Sequence, residues 1–501
     1  MFSKVLKTYT GRANGFYRNL SQKLPEFTKN VFDVSRGNYN YINDGHIDYF
    51  RRVLGTNRVI TNPEDAEKYN VDWFSQVRES SNLVVKPKTT EEVSKILSFC
   101  NENKLAVCPQ GGNTGVNGGS IPVFDEVIIS TELMNEIISL DEDSGVLVCQ
   151  AGCILETIDN KAATKDLIVP LDLGAKGSCQ IGGNVSTNAG GLRLLRFGNL
   201  HGNILGLEVV KADGEILDCL GTLKKDNTGY HLKHLFIGSE GTLGFVTKVS
   251  IQCPSRPKYI NVAFLGLQNF NKALKTLKLL RYRLGEILSA IEMIDYCSMD
   301  FIKNVVGQQS PIGDYPFYLL IETSGSNALH NEEKLNSFLE ESLQKALVLN
   351  GTVANEPNKV QDIWSIRENI PNGFQKVASK MLYYDVSVPL AHYYTIVDDV
   401  ADYAKDISER VFGFGHIGDG NLHLHIQLKN DLTKEVKSNF DSFILEKIVR
   451  YKGSISAEHG VGFTKAKLMD KIKPPSTLKV MKDLKKLMDP NGILNPYKIF
   501  I

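Results

Sequence analysis

The chain has 501 residues, of which 42% are hydrophobic, and it carries 57 basic and 57 acidic side chains. This length allows two or three domains with full cores. Balanced charge argues against nucleic acid as a partner. The sequence has no apolar run of about 18 residues, so no membrane span is predicted. The eight cysteines include no CxxC pair, which favours reduced core thiols over disulfides.

The N-terminal thirty residues are basic. They contain Lys4, Lys7, Arg12, Arg18, Lys23 and Lys29 but a single acid, Glu26. This composition resembles a mitochondrial transit peptide and predicts a leader over residues 1–35 of a mitochondrial matrix protein. The alternative is a basic leader that is not a targeting signal, because a single sequence does not show whether the leader is cleaved.

A glycine-rich loop follows the first predicted β-α-β unit. Residues 83–85 and 105–108 are predicted strands, and Thr89 with Glu92 predicts a capping box at the start of the helix between them. The loop, PQGGNTGVNGGS at 109–120, lets main-chain N–H groups contact oxygen anions, so we predict a phosphate or pyrophosphate ligand. It matches neither the P-loop nor G-x-G-x-x-G. A mobile surface loop is the alternative.

The following stretch repeats this glycine-rich character. Strands are predicted at 126–130, 145–151 and 167–170, a helix at 155–164, and a hairpin at 207–219 around Asp213 and Gly214. Two further glycine-rich segments lie at 170–191 and 238–251, the second leading into an alternating strand. Three such segments in one domain suit a dinucleotide cofactor.

A second predicted unit begins after Pro254 and Pro257, which break the chain. Strands near 259–265, 287–294 and 317–322, separated by amphipathic helices such as 270–282, predict an α+β domain. The last helix is predicted to end at Asp489, after which the chain returns to the cofactor domain.

Four of the ten histidines lie close together near the C-terminus: His416, His423, His425 and His459. The segment GFGHIGDGNLHLHIQL predicts strand, turn and strand, with His423 and His425 on one face. A short strand is predicted at 454–456, ahead of Glu458. Two neutral imidazoles and one carboxylate, with an open fourth position, are the ligands of catalytic zinc. Hydrogen-bonded core histidines are the alternative.

Six segments, taken as an ordered set, resemble the FAD-dependent 2-hydroxy acid dehydrogenases of the vanillyl-alcohol oxidase type, and within them the D-2-hydroxyglutarate dehydrogenases. They are PQGGNTG, QIGGNVSTNAGG, GSEGTLG, GHIGDGNLH, SAEHGVG and DPNGILNPYK. The resemblance runs from about residue 82 to the C-terminus. It implies an α+β fold with a two-subdomain FAD-binding domain at 36–255 and an α+β substrate (cap) domain at 256–460. The cap domain would have an antiparallel sheet and the metal site, and residues 461–501 would return to the FAD domain.

The resemblance also implies which residues contact FAD. These are Pro109, Gln110, Gly111, Gly112, Asn113, Thr114, Gly115, Gly118, Gly119, Leu173, Ser178, Gln180, Gly182, Gly183, Ser186, Thr187, Asn188, Glu240, Gly241, Val246 and Asn495. Because the phosphate loop contains no histidine to which FAD could be tethered, we predict non-covalent FAD.

By the same resemblance, His416, His423 and Glu458 would bind zinc or a similar divalent metal. Arg367 would pair with the substrate carboxylate, since a guanidinium offers two parallel donors. His459 would be the base in oxidation of D-2-hydroxyglutarate to 2-oxoglutarate, with hydride transfer to flavin N5. An electron-transfer flavoprotein is the implied electron acceptor, and the oligomeric state stays open.

The resemblance implies six substrate-binding residues, Arg367, Pro371, Tyr383, Asn421, His425 and His459, and the chain departs from the hydroxyglutarate pattern at three of them. Tyr383 stands where a lysine is usual, His425 replaces an asparagine, and Pro371 replaces a threonine. A protonated His425, the Tyr383 hydroxyl or Lys380 could take over the role of the lysine. D-lactate or another short D-2-hydroxy acid is therefore the alternative substrate. A metal-dependent hydrolase and a catalytically silent flavin-binding protein are more distant alternatives.

Overall fold

The computed structural model describes residues 27–73, 75 and 77–500, and within them it contains three β-sheets. Most of the predicted leader, residues 1–26, lies outside the described residues. The described part of that prediction contacts the body of the protein: Thr28 Oγ1 donates to the carbonyl oxygen of Arg78, and Lys29 pairs with Glu79 at 2.8 Å.

The N-terminal half of the chain forms two sheets. The first is mixed and has the order β1-β2-β4-β3, with β1 Val59–Ile60, β2 Val84–Val85, β3 Val107–Gln110 and β4 Val127–Ser130. The second is antiparallel and has the order β5-β6-β9-β7-β8, with β5 Ile137–Asp141, β6 Val146–Gln150, β7 Ile204–Val210, β8 Ile216–Cys219 and β9 Phe245–Gln252. The expected two-subdomain architecture is present.

The C-terminal half forms one antiparallel sheet of seven strands, in the order β13-β10-β12-β11-β15-β16-β14. Its strands are β10 Tyr259–Leu267, β11 Leu288–Asp295, β12 Phe317–Gly325, β13 Asn350–Ala354, β14 Met381–Ser387, β15 Ser408–Gly415 and β16 Asn421–Leu428. The chain passes from the second sheet to this one between Gln252 and Tyr259, across the two prolines.

The α-helices are α1 Thr28–Val31, α2 Asp44–Leu54, α3 Pro63–Ala66, α4 Thr90–Glu102, α5 Leu155–Ala163, α6 Ile181–Thr187, α7 Leu194–Phe197, α8 Leu200–Asn203, α9 Lys233–Phe236, α10 Phe270–Leu284, α11 Tyr296–Phe301, α12 Ala328–Gln344, α13 Pro357–Gly373, α14 Thr395–Ala404, α15 Lys434–Arg450, α16 Met469–Ile472 and α17 Pro475–Met488. Short 3-10 turns lie at Thr56–Arg58, Glu67–Tyr69, Phe374–Lys380, Leu390–His392 and Ala466–Leu468, and a π turn at Ile302–Val306. Among the described residues, no helix is both long and apolar enough to cross a bilayer.

Two local predictions show why the chain folds in this way. Thr89 caps α4, accepting from the N–H of Glu92, and the apolar stripe of that helix is buried against the first sheet. In β16 the side chains of Leu422, Leu424 and Ile426 are fully buried in the largest core cluster, which places His423 on the opposite face. Strand alternation therefore directs the histidines away from that core.

Other local predictions need correction. Residues 167–170 and 454–456 are not strands, since each forms only one isolated bridge, Leu167 with Ser255 and Ser454 with Ser387. The structure also adds α6 inside the second glycine-rich segment and the mostly solvent-exposed β5. All eight cysteines are free.

Candidate active site

The loop after β3 lies against the second glycine-rich segment at backbone distance. A Cβ at Gly112 would overlap the carbonyl oxygen of Ser178, whereas a Cβ at Gly115 would meet nothing within 4 Å. Asn113 and Gly118 both have positive φ, 53° and 68°. Glycine at 112 is therefore required by close packing of two segments, and the loop bends as the composition predicts.

The three glycine-rich segments line one cleft. The predicted cofactor residues in its wall are Pro109, Gln110, Gly111, Gly112, Asn113, Thr114, Gly115, Gly119, Leu173, Gln180, Gly182, Gly183, Ser186, Thr187, Glu240, Gly241 and Val246. Four others, Gly118, Ser178, Asn188 and Asn495, lie behind that wall. Val116, Asn117 and Asn184 also line it and were not predicted individually.

Buried amide oxygens test whether this cleft fits a polar dinucleotide. Within the described residues, the Oδ1 atoms of Asn184, Asn188 and Asn495 are buried without a hydrogen-bond partner. Asn495 Nδ2 donates to the carbonyl oxygens of Gly119 and Glu240, so only the side-chain oxygen of Asn495 lacks a hydrogen-bond partner. A buried acceptor without a donor costs about 1–3 kcal/mol. Of the three, Asn184 lines the cleft, where a ligand rich in hydroxyl and N–H donors, such as FAD, would satisfy its oxygen.

Some predicted contacts use the backbone and not the side chain. Gln110 Nε2 donates to the carbonyl oxygens of Tyr69 and Ser120, and Asn113 Nδ2 donates to that of Val71. These amides hold the loop in shape from behind. The loop therefore presents mainly its peptide groups to the cleft, which agrees with an anion as the ligand.

The cleft also holds the segment that carries the proposed base. Asn117 Nδ2 donates to the carbonyl oxygens of His459 and Gly460 at 3.1 and 2.8 Å. The Glu240 carboxylate accepts from the N–H groups of Val461 and Gly462, both at 2.7 Å. Burial raises the pKa of Glu240, although these two N–H donors oppose that shift. The cofactor cleft and residues 459–462 are therefore one connected unit.

The predicted metal ligands converge on one carboxylate oxygen. Glu458 Oε1 lies 3.9 Å from His416 Nε2 and 3.8 Å from His423 Nε2. The other Glu458 oxygen accepts from the N–H of Gly191 at 3.0 Å. These ligand atoms lie within 4.8 Å of one another, so the two imidazoles and the carboxylate fit a divalent metal such as zinc. His459 Nε2 lies 3.7 Å from Glu458 Oε1.

Glu292 supports two of these residues and was not predicted. Its buried carboxylate accepts from Arg367 Nε at 2.6 Å and contacts His416 Nδ1 at short range. Burial favours a higher pKa for Glu292, but the charges of His416 and Arg367 outweigh it and lower the pKa. Burial favours a lower pKa for His416, but the adjacent Glu292 carboxylate outweighs burial and raises the pKa to about 9. A contact on Nδ1 leaves His416 Nε2 for a metal.

Asp385 is the second unpredicted support. Its Oδ2 accepts from the N–H groups of Ala457, Glu458 and His459 at 3.0–3.1 Å. It also faces the Nδ1 atoms of His423 and His459 at 3.8 and 3.6 Å. Although burial opposes it, the charges of His459 and His423 lower the pKa of Asp385. One carboxylate therefore positions a metal ligand and the proposed base together.

Both supports had weak signals in the sequence. Glu292 is an ionisable residue inside the apolar run AIEMID, and Asp385 occupies the same kind of position in MLYYDVS. A charge in a buried strand requires a partner, so each could have been identified as a functional candidate. Their partners could not, because they lie on other strands and loops.

Comparison with known proteins agrees with this geometry. Residues 81–220 match an FAD binding domain, and residues 256–499 match the C-terminal domain of FAD linked oxidases. A mitochondrial D-2-hydroxyglutarate dehydrogenase of Danio rerio is 50% identical, over 92% of this chain and 86% of its own length. A D-2-hydroxyglutarate–pyruvate transhydrogenase of Saccharomyces cerevisiae is 41% identical, over 92% of this chain and 95% of its own.

The chain belongs to the FAD-linked oxidases. It is an FAD-dependent oxidoreductase, related to D-2-hydroxyglutarate dehydrogenases over most of its length. Substrate-bound p-cresol methylhydroxylase has the same fold, with a TM-score of 0.72 and 15% identity over 91% of this chain and 96% of that one. Because the chain binds FAD through a recognised domain, the metal-dependent hydrolase alternative loses its support.

In this FAD-linked oxidase, Arg367 lies on α13, and Glu292 joins it to the predicted metal ligand His416. Its guanidinium carbon stands 4.6 Å from the Phe414 ring centroid, and its Nε is bound to Glu292. Pro371 lies one turn further along the same helix, which ends at Gly373. Proline has no N–H to donate to the Arg367 carbonyl, so the helix is weakened next to the arginine.

The structure corrects the expectation for His425. This side chain is only 5% exposed, with ring centroids of Phe374, Phe412 and Phe414 at 4.3, 5.5 and 5.0 Å. Burial, together with the charge of Arg367, lowers the pKa of His425 well below its usual value. A protonated His425 therefore does not replace the lysine. Lys380 is half-buried and its Nζ donates to the carbonyl oxygen of Lys429 at 3.1 Å, so its proposed role stays a prediction.

Tyr383 and Asn421 complete the substrate end. Tyr383 pairs with His425 in register across β14 and β16, on the face that carries the metal ligands. Asn421 Nδ2 donates to Asp385 Oδ1 at 2.8 Å, so this amide supports the site from behind. The Tyr383 hydroxyl and Lys380 therefore both stay as predicted replacements for the lysine.

Replacing Asp385 with asparagine is expected to lower kcat/KM or metal affinity by about 10- to 100-fold, the usual cost of removing a support behind metal ligands. Asparagine has one acceptor atom in place of two, so it cannot accept from both the backbone N–H groups of residues 457–459 and Asn421 Nδ2, and it lacks the negative charge that faces the two imidazoles. Steady-state kinetics and metal content with FAD bound are the measurements, and Asp406→Asn, on an exposed turn, is the matched control. Activity of Asp385→Asn equal to that of the control would contradict this role.

Proposed function

We propose that the chain oxidises a D-2-hydroxy acid to the 2-oxo acid with non-covalent FAD and a divalent metal, preferably zinc. One observation carries this proposal: Glu458 and His459 line the same cleft as the three glycine-rich cofactor segments. This supports the proposal that Glu458, as a metal ligand, and His459, as a base, act next to the flavin. Bleaching of the flavin absorbance by a D-2-hydroxy acid in the absence of oxygen would test it, and an unchanged spectrum would refute it.

The residues act on different parts of the substrate. Arg367 binds and orients the carboxylate through the guanidinium nitrogens not bound to Glu292. His459 accepts the hydroxyl proton at Nε2, because its Nδ1 faces Asp385 and its Nε2 faces Glu458. When bound, FAD supplies a hydride acceptor at N5 and the metal lowers the pKa of the substrate hydroxyl.

For the substrate itself we propose D-2-hydroxyglutarate. Support comes from the relatives, since the Danio rerio and Saccharomyces cerevisiae proteins both carry this compound in their names. A second candidate, D-lactate or another short D-2-hydroxy acid, is favoured by the aromatic surroundings of His425 and by its lowered pKa, which make it a poor cation for a second carboxylate.

The ratio of two substrates decides between these candidates. With the Tyr383 hydroxyl as donor, a hydrogen bond to a charged carboxylate is worth about 1.5–3 kcal/mol, so kcat/KM should favour D-2-hydroxyglutarate over D-lactate by roughly 10- to 100-fold. Both are measured with one artificial electron acceptor. Tyr383→Phe should remove most of the preference while leaving D-lactate oxidation unchanged. Equal values in the parent, or a preference for D-lactate, would assign the chain to short D-2-hydroxy acids.

Gly112→Ala is expected to weaken FAD binding. Its Cβ would overlap the Ser178 carbonyl oxygen, and forcing apart two packed segments costs about 1–3 kcal/mol, or roughly 5- to 150-fold in affinity. Gly115→Ala in the same loop is the matched control, because a Cβ there meets nothing within 4 Å. FAD affinity is measured by fluorescence titration of the apoprotein. Equal FAD affinities in the two variants would show that the close packing at Gly112 is not needed for FAD binding.

We further propose that the protein acts in the mitochondrial matrix and passes its electrons to an electron-transfer flavoprotein. The mitochondrial names of its relatives support the compartment. The contacts of Thr28 and Lys29 with residues 78 and 79 favour a leader that ends before residue 28, and not at residue 35 as the composition suggests. N-terminal sequencing of the mature protein from fractionated mitochondria tests both points.

A further inference from the structure

Three histidines form a cluster on the surface of the FAD domain, apart from the active site. His201 lies in α8, His234 lies in α9, and His231 precedes α9 by two residues. The Nδ1 atoms of His201 and His234 are 3.0 Å apart, and their ring centroids 5.2 Å. The ring centroid of His231 lies 6.0 Å from that of His234.

The separation of His201 and His234 matches two imidazoles that share one metal ion, whereas His231 has to turn to reach the same ion. With zinc–nitrogen bonds of about 2.0–2.1 Å in tetrahedral geometry, two ligand nitrogens stand roughly 3.3 Å apart and their ring centroids about 5–6 Å apart. The predicted active-site ligands His416 and His423 have centroids 5.4 Å apart. The exposed His231 ring reorients on the picosecond to nanosecond scale and can turn its nitrogen toward the pair.

The backbone holds the three positions together. The N–H of His234 donates to the carbonyl oxygen of His231, so the two are one helical turn apart and share a face. Lys233, the neighbour of His234, connects α9 to the chain two residues after α8, because its Nζ donates to the carbonyl oxygen of Leu205. The Asn199 side chain caps α8 through the N–H of Gly202. The ligands are therefore brought together before any ion binds.

We propose that His201, His231 and His234 form a second metal site, for a divalent ion that prefers imidazole nitrogen, such as Zn²⁺, Ni²⁺ or Cu²⁺. The site is independent of the proposed activity. Its occupation would tie α8 to the end of the exposed segment 221–230, in which the Tyr230 side chain is 96% exposed. A single hydrogen bond between the Nδ1 atoms of His201 and His234 is the competing explanation, and it leaves His231 without a role.

Zinc stoichiometry of the FAD-loaded protein, after equilibrium dialysis against ZnCl₂, tests this proposal. The parent should bind two ions per chain, while His201→Ala and His234→Ala should each bind one. His330→Ala, an exposed histidine on α12, is the control and should bind two. His423→Ala should lose the other ion, so a failure of the active-site assignment is seen separately. Variants at 201 and 234 that keep the parent's stoichiometry would overturn the proposal.

Proteolysis gives a second readout that does not depend on counting ions. Chymotrypsin cleaves after aromatic residues, and Tyr230 directly precedes His231. Zinc should slow cleavage at Tyr230 several-fold in the parent and have no such effect in His231→Gln, because only the parent anchors the segment. Equal protection of the parent and His231→Gln would show that zinc acts elsewhere and would count against the site.

Discussion

Replacing His423 with alanine is expected to reduce turnover by about 10³-fold or more while FAD stays bound, since a Lewis-acidic metal supplies several kcal/mol and each 1.4 kcal/mol is tenfold in rate. His423 Nε2 points at Glu458, and burial together with the charges of Arg367 and His416 lowers its pKa well below the usual value. The measurements are kcat, flavin absorbance and bound metal in the purified protein.

The controls for this prediction separate loss of the metal from loss of the fold. His330→Ala should keep parent activity, and the His423→Ala protein should keep the parent flavin spectrum because the cleft segments are untouched. His416→Ala and Glu458→Ala should behave like His423→Ala, since all three are proposed ligands. An active parent protein without stoichiometric metal, whose rate chelators leave unchanged, would refute the assignment.

His459→Asn is expected to slow flavin reduction by about 10²- to 10⁴-fold, the usual contribution of a positioned general base. Its ring stands beside the proposed metal site, with Nε2 3.7 Å from Glu458 Oε1 and Nδ1 3.6 Å from Asp385 Oδ2. Asparagine keeps a polar group of similar reach but does not accept a proton. The rate is read from the reductive half-reaction in a stopped-flow instrument.

Metal content distinguishes this variant from the ligand variants. His459→Asn should retain both FAD and the active-site metal if His416, His423 and Glu458 are the ligands, whereas loss of the metal would favour the neighbouring group of Asp385, Glu458 and His459 as the ligand set. A rate of flavin reduction within about threefold of the parent would remove His459 from the role of base, since general-base effects are rarely so small.

The sequence predicted the cofactor domain better than the substrate end. Most of the predicted cofactor residues line one cleft, because a glycine loop after a strand is a local signal for backbone contact with an anion. The exceptions are informative. Gln110 and Asn113 direct their amides to loop carbonyls, and Glu240 binds residues 461 and 462. A motif specifies where the backbone goes, but it does not specify which way each polar side chain turns.

Strand alternation was determined by the sequence itself. Period two in residues 421–428 places the leucines in the core and His423 and His425 together on the opposite face, as the structure confirms. The pattern treats the two histidines alike, because each has the same kind of local neighbour.

Only the tertiary structure separates these two histidines. His423 lies opposite Asp385 and near Glu458, whereas His425 lies opposite Tyr383 and among three phenylalanine rings. Asp385 comes from a strand 38 residues before His423, and Glu458 from a loop 35 residues after it, by the numbering of the chain. Protonation and metal binding depend on the charges and burial that such distant segments bring within a few ångströms, and no local pattern contains that information.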